Sequence, residues 1–225
     1  MKQIRNCITR RYGTKKTFIE KGKLLMDTKQ KAKLIHGLSN FHMAVNTKDD
    51  ATGVEYSEVF HVEGAVSVSV DPNTESNTKY ADNGAFAVLN SLNDIDVSLA
   101  TVDIPSEVKK AMYGQKEVNG VIFSNKDDVI QEIALGFEAK IRGGGTRFYW
   151  LLKGTPEIIG IEHETDEGSI ESKDAALTLK FVPLRYNGEW KAELDSEIVT
   201  TADWFTDVVY GEEIAQALPT VAPEV

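Results

Sequence analysis

The chain has 225 residues, four histidines, one cysteine and a formal net charge of −10. That length suits one domain, or two small ones, with an adequate buried core. A lone Cys7 excludes an intramolecular disulfide and paired-cysteine metal sites, and no run reaches the roughly 18 apolar residues of a membrane helix.

Residues 1–25 hold eight basic groups against Glu20 alone, a balance of +7, which leaves −17 on residues 26–225. A body this acidic repels a phosphate backbone, so direct nucleic-acid binding by the body is not expected. The head is basic but has no apolar stretch of the kind a secretory signal carries, and synthesis inside the cell fits it best. Glu20-Lys21-Gly22-Lys23 would be encoded by a nearly unbroken purine run a few codons before Met26. A ribosome-binding site translated by mistake has that form. Residues 1–25 are therefore expected to be a disordered or mistranslated leader, with a nucleic-acid-binding arm as the alternative.

From Leu34 onward the signals are those of strands. Phe41, Met43 and Val45 alternate with polar neighbours until Asp49-Asp50-Ala51-Thr52-Gly53 breaks the run. Val66, Val68 and Val70 alternate with Ser67 and Ser69 and stop at Asp71-Pro72. Residues 71–90 read as a long loop, polar over Asn73–Asn77 and apolar again at Tyr80, Phe86, Val88 and Leu89. Loops of that length are functional or disordered. Ile95, Val97 and Leu99 then oppose Asp94, Asp96 and Ser98. One helix is predicted over about 104–113, with Pro105 opening it, Glu107 in its first turn, Val108, Ala111 and Met112 as its stripe and Gly114 ending it. Ile133 to Ile141 alternates strongly, Gly143-Gly144-Gly145 makes a hairpin connection, and Phe148, Trp150 and Leu152 alternate with Arg147, Tyr149 and Lys153. Leu177, Leu179 and Phe181 form a further strand, and Trp190 begins a late one. Pro72, Pro156 and Pro183 are expected to bound strands. A weaker helix is predicted over 202–210, with Trp204, Phe205, Val208 and Val209 on one face.

These elements predict a mainly β protein: an antiparallel β-sandwich or flattened barrel with one flanking α-helix, each strand keeping one wet face. Residues 26–199 read as a single β domain and 200–225 as a C-terminal arm whose Trp204 and Phe205 dock on a neighbouring subunit or on their own domain.

Catalytic signals are weak. His36, His42, His61 and His163 make no HxH or HExxH spacing, and His42 is predicted to face solvent. No calcium loop, phosphate loop or nucleophile elbow is present. Asp94 and Asp96 share a strand face and are the one pair suited to acid work, although a solvated face is the plainer reading. No catalytic, cofactor-binding or metal-binding residue is expected.

The stretch Phe41–Phe86, with its short strand from Asn40 to Ala44, its Thr47-Lys48-Asp49-Asp50-Ala51-Thr52-Gly53 turn and its Tyr80-Ala81-Asp82-Asn83-Gly84 ending, resembles the phi13-type phage major tail proteins. These are the tail tube proteins of long-tailed phages that infect Gram-positive bacteria. The likeness runs from about Gly37 to Gly211. It implies a structural virion protein of bacteriophage tails, made in the host cytoplasm, whose hexameric rings stack into a conduit for DNA ejection. Implied partners are further copies of the subunit, tail terminator and distal tail proteins, and a tape measure protein in the lumen. DNA passes without specific binding, and no membrane is involved. The resemblance carries over Tyr80, Asp82 and Phe86 as subunit-contact residues. A glycan- or receptor-binding module of a tail tip or adhesin is the alternative, and it would use exposed aromatics such as Tyr149. A hydrolase on a β scaffold would have only Asp94 and Asp96.

Overall fold

A computed structural model describes residues 18–20, 23–25, 33–81, 83–160, 174–196 and 201–218. The chain divides into residues 1–34 and 35–225. In the first part, β1 (Phe18–Glu20) and β2 (Lys23–Leu25) pair antiparallel. The rest of the expected leader lies outside the described residues.

The second part begins with β3 (Ile35–Asp50), β4 (Gly53–Tyr56), β5 (Phe60–Val62), β6 (Ala65–Ala81) and β7 (Gly84–Thr101). After α1 (Ser106–Tyr113) come β8 (Lys116–Val118), β9 (Val121–Phe123), β10 (Ile133–Ile141), β11 (Thr146–Pro156), β12 (Ala175–Phe181) and β13 (Lys191–Asp195). Two short helices follow, α2 (Thr201–Trp204) and α3 (Gly211–Ala217). Nine strands make one antiparallel sheet in the order β4-β3-β10-β11-β12-β7-β6, with β5 beside β3 and β13 beside β11.

The sheet curls because one set of alternating residues has to leave water together. Phe41 and Met43 of β3, Ile133 and Leu135 of β10, Leu151 of β11, Leu179 of β12 and Val97 of β7 all meet in one core, each at most 1% exposed. The predicted helix adds Val108, Met112 and Tyr113 to it and ends at Gly114 in the left-handed region. β6 and β3 do not hydrogen-bond to one another, so the sheet is not closed into a barrel.

Two central strands depart from the expected single wet face. Over residues 133–137 and 150–154 β10 and β11 are buried on both sides, and their outer side chains Ala134, Phe148, Trp150 and Leu152 are each 0% exposed. What covers them is the C-terminal segment, which brings Trp204, Phe205, Val208 and Val209 into this second core. The Trp150 indole N–H donates to the Trp204 carbonyl at 3.2 Å, and Phe205 meets the Trp150 ring edge-on. Trp204 and Phe205 are therefore core residues of their own chain, and of the two dockings expected for this segment the structure takes the intramolecular one. Nor is the segment one helix over 202–210: α2 stops at Trp204, and Val208 and Val209 lie between α2 and α3 outside any helix. Gly136 of β10 faces the Trp150 ring so closely that a β-carbon would sit 2.8 Å from it, which only glycine tolerates.

Pro72 is a further correction. It lies inside β6 at a bulge between Pro72 and Thr74 instead of ending the strand. β6 is the edge of the sheet, and edge strands and bulges are where a residue without an N–H is tolerated. A second bulge, between Ala65 and Ser67, turns Val66 outward, so only Val68 and Val70 pack on the core.

Because the second core rests on the C-terminal aromatics, Trp204→Ala is expected to lower unfolding stability by about 3–5 kcal/mol. Urea denaturation of wild type and variant measures this, and the intramolecular core requires a clear drop in midpoint.

Candidate assembly surface

The long loop expected over 71–90 is instead the far half of a hairpin. β6 and β7 pair from Ala65↔Thr101 outward to Ala81↔Gly84. Asn83 has a positive φ of 63°, which asparagine adopts more readily than most residues. β12 supports β7 only over 95–101, so residues 74–92 continue outward as a two-stranded ribbon. At the rise of an antiparallel strand, its arms extend roughly 25–30 Å.

This ribbon carries apolar side chains with nothing over them. Tyr80 is 76% exposed, Phe86 77%, Val88 59% and Leu89 56%. Val88 and Leu89 are consecutive in a strand, so they point to opposite faces and each face of the ribbon carries an exposed apolar side chain. An isolated two-stranded hairpin is marginal in water, and exposed large apolar groups mark contact sites. Of the residues expected to make subunit contacts, Tyr80 and Phe86 are thus presented outward, while Asp82 lies outside the described residues.

A second hairpin went unread in the sequence. β8 and β9 pair across Asn119-Gly120, both with positive φ, and expose Val118, Val121 and Phe123. Asn-Gly between Val118 and Val121 is a strong hairpin signal and would have located it.

Where the sheet stays open, a groove of about 660 Å³ runs between the start of β3 and β6. Leu38, Val68, Phe137, Tyr149 and Trp190 line it, with His36, Ser67 and Lys191 among its polar members. Tyr149 stacks on Phe137 at 4.9 Å, so it is a groove wall and not a free-standing aromatic.

The carboxylate pair suited to acid work is engaged otherwise. The Asn73 amide donates to Asp94 and Asp96 at 2.9 and 2.7 Å, and the Lys180 ammonium reaches them at 2.9 and 3.1 Å. Lys180, with Asn73, holds Asp94 below the usual carboxylate range, and Asn73, with Lys180, does the same for Asp96. A general acid at neutral pH needs the opposite shift. Among the described residues no group of three or more His, Cys, Asp or Glu is placed to hold a metal ion, and no helix is long and apolar enough to cross a membrane.

His42 is not on a solvent face. It lies on the outer side of β3, where the Phe205 ring stacks on it at 4.2 Å and 11° and His61 of β5 stands 5.0 Å away. Its Nδ1 lies 3.0 Å from the Asn40 carbonyl oxygen. Burial lowers its pKa, the Asn40 carbonyl opposes that, and His61 adds to the lowering.

No protein-family model matches the chain, and no curated protein sequence matches it.

A histidine with a lowered folded-state pKa binds its proton more readily in the unfolded chain. Stability is therefore full above the unfolded value of about 6.5 and falls as pH drops through the folded one. Urea midpoints should decrease between about pH 7 and about pH 5.5, and His42→Phe should flatten that decrease. An equal decrease in the variant would assign it to other groups.

Proposed function

We propose that this chain is the repeating subunit of a phage or phage-derived tail tube, in which hexameric rings stack into the conduit for DNA. The single observation that carries the reading is the projecting ribbon of residues 74–92, which exposes large apolar side chains on both faces and is unsupported by the rest of its sheet. A partner lying on each face would bury Tyr80, Phe86, Val88 and Leu89 together. Copies of the same chain supply such partners on both sides in a closed ring or a stack. The open edge of β6 adds to this, since unpaired strand edges are stabilised by pairing, and ring symmetry pairs every one of them. The charge of −17 on residues 26–225 suits a lumen that DNA traverses without sticking. Tail terminator, distal tail and tape measure proteins would be the heterologous partners, and the virion tail the location.

A second reading keeps the β body and makes it a glycan- or receptor-binding module. The groove walled by Tyr149 and Trp190 is the feature that favours it.

Tyr80→Ala combined with Phe86→Ala is expected to leave a cooperative thermal transition and to abolish rings and tubes in electron micrographs. Parallel loss of folding would place the ribbon in the core. Unimpaired assembly would remove it from the interface.

A further inference from the structure

Lys153 is a core lysine that the assembly reading does not use. It belongs to β11, and its side chain is 5% exposed; Asp49, at the end of β3, is 2% exposed. Lys153 Nζ lies 2.7 Å from Asp49 Oδ2 and 3.3 Å from Glu132 Oε2. Oδ1 accepts from the Tyr186 backbone amide at 3.1 Å, and the Arg185 amide is shared between the two oxygens, 2.9 Å from Oδ2 and 3.1 Å from Oδ1. A buried amine, a carboxyl carbon and a second carboxylate in contact with the amine thus lie together, with two backbone amides donating to the reacting carboxylate. Those are the parts of an acyl-transfer centre: a nucleophile, a proton acceptor and an oxyanion hole.

We propose that Lys153 and Asp49 condense into an intramolecular amide bond, with Glu132 as the proton relay. The pair starts as ions. Burial pushes the Asp49 pKa up, but the Arg185 amide, Lys153 and the Tyr186 amide outweigh it and hold the carboxyl below its usual range. The Glu132 carboxylate takes a proton from the ammonium and passes it to Oδ2 of Asp49, so that the ion pair becomes a neutral acid and a neutral amine, and the freed lone pair of Nζ attacks Cγ. The negative charge develops on Oδ1, which the Tyr186 amide and the shared Arg185 amide face. Oδ2 then leaves as water, carrying two of the three ammonium protons, one of them returned by Glu132. The third proton stays on the amide nitrogen. One C–N bond forms and one C–O bond breaks, no oxidant or reductant enters, and Glu132 ends as it began.

Two physical effects favour the condensation. Two buried opposite charges, each costly to desolvate, become one neutral amide. Groups fixed in contact react with effective molarities on the order of 10⁵–10⁸ M, which offsets the preference of water for hydrolysis. β3 and β11 are separated by β10 in the sheet, so the new bond would clamp three strands together across 104 sequence positions.

Intact mass and peptide mapping of the purified full chain test this. Folded wild type should be lighter than its sequence by one water, and the peptide carrying Asp49 should be joined to the peptide carrying Lys153. Glu132→Gln, a substitution at a half-exposed side chain, should keep the full mass and give separate peptides, as should Lys153→Arg. Wild type at full sequence mass, or a water loss confined to one peptide as a cyclic imide, overturns the proposal by leaving Lys153 and Asp49 an ion pair only. Cross-linking in Glu132→Gln at the wild-type rate overturns the relay.

Discussion

Over residues 133–137 and 150–154 β10 and β11 have no face left for water, and the rest of the molecule follows from that. On the inner side Ile133, Leu135 and Leu151 join the core that makes the sheet curl. On the outer side Phe148, Trp150 and Leu152 present a second apolar surface that the nine strands cannot cover themselves. The chain solves this by running past its last strand and returning with Trp204, Phe205, Val208 and Val209. Gly136 belongs to the same solution, because the absence of its side chain is what lets the Trp150 ring lie flat against β10. The second core also fixes the surroundings of His42, which Phe205 covers. A C-terminal segment used in this way is occupied, and it is no longer a free anchor for a neighbour.

That leaves the apolar surface the fold does not bury. The ribbon of residues 74–92 and the β8–β9 hairpin hold large exposed apolar side chains on elements that bury little else. Buried apolar area is worth roughly 25 cal/mol per Å², so an interface over both faces of the ribbon would stabilise an assembly substantially. Together with the open β6 edge, this surface gives the proposed ring and stack their physical basis: the monomer is complete in its core and incomplete at its edges.

Most of the β framework was legible. Strict alternation at Ile95-Val97-Leu99, Ile133-Leu135-Phe137 and Leu177-Leu179-Phe181 located three inner strands, and Pro105 with Gly114 bracketed the helix. The misses have particular causes. Residues 71–90 looked like a loop because a ribbon solvated on both faces has no hydrophobic period to read, and Pro72 seemed to stop the strand where a bulge on an edge accommodates it. His42 was assigned to solvent because alternation tells inside from outside within one sheet but not whether a distant segment covers the outside. The burial of Lys153, which alternates with Phe148, Trp150 and Leu152, was not legible either; its partners lie at Asp49 and Glu132, where spacing along the chain does not reveal them.

The central claim is that copies of this chain associate through the projecting ribbon. Electron cryomicroscopy of the concentrated wild-type protein tests it most directly. The account predicts closed rings or stacked tubes in which residues 74–92 lie between subunits, with Tyr80 and Phe86 buried. A protein that stays monomeric at every concentration, or an assembly whose ribbons point into solvent, would contradict it.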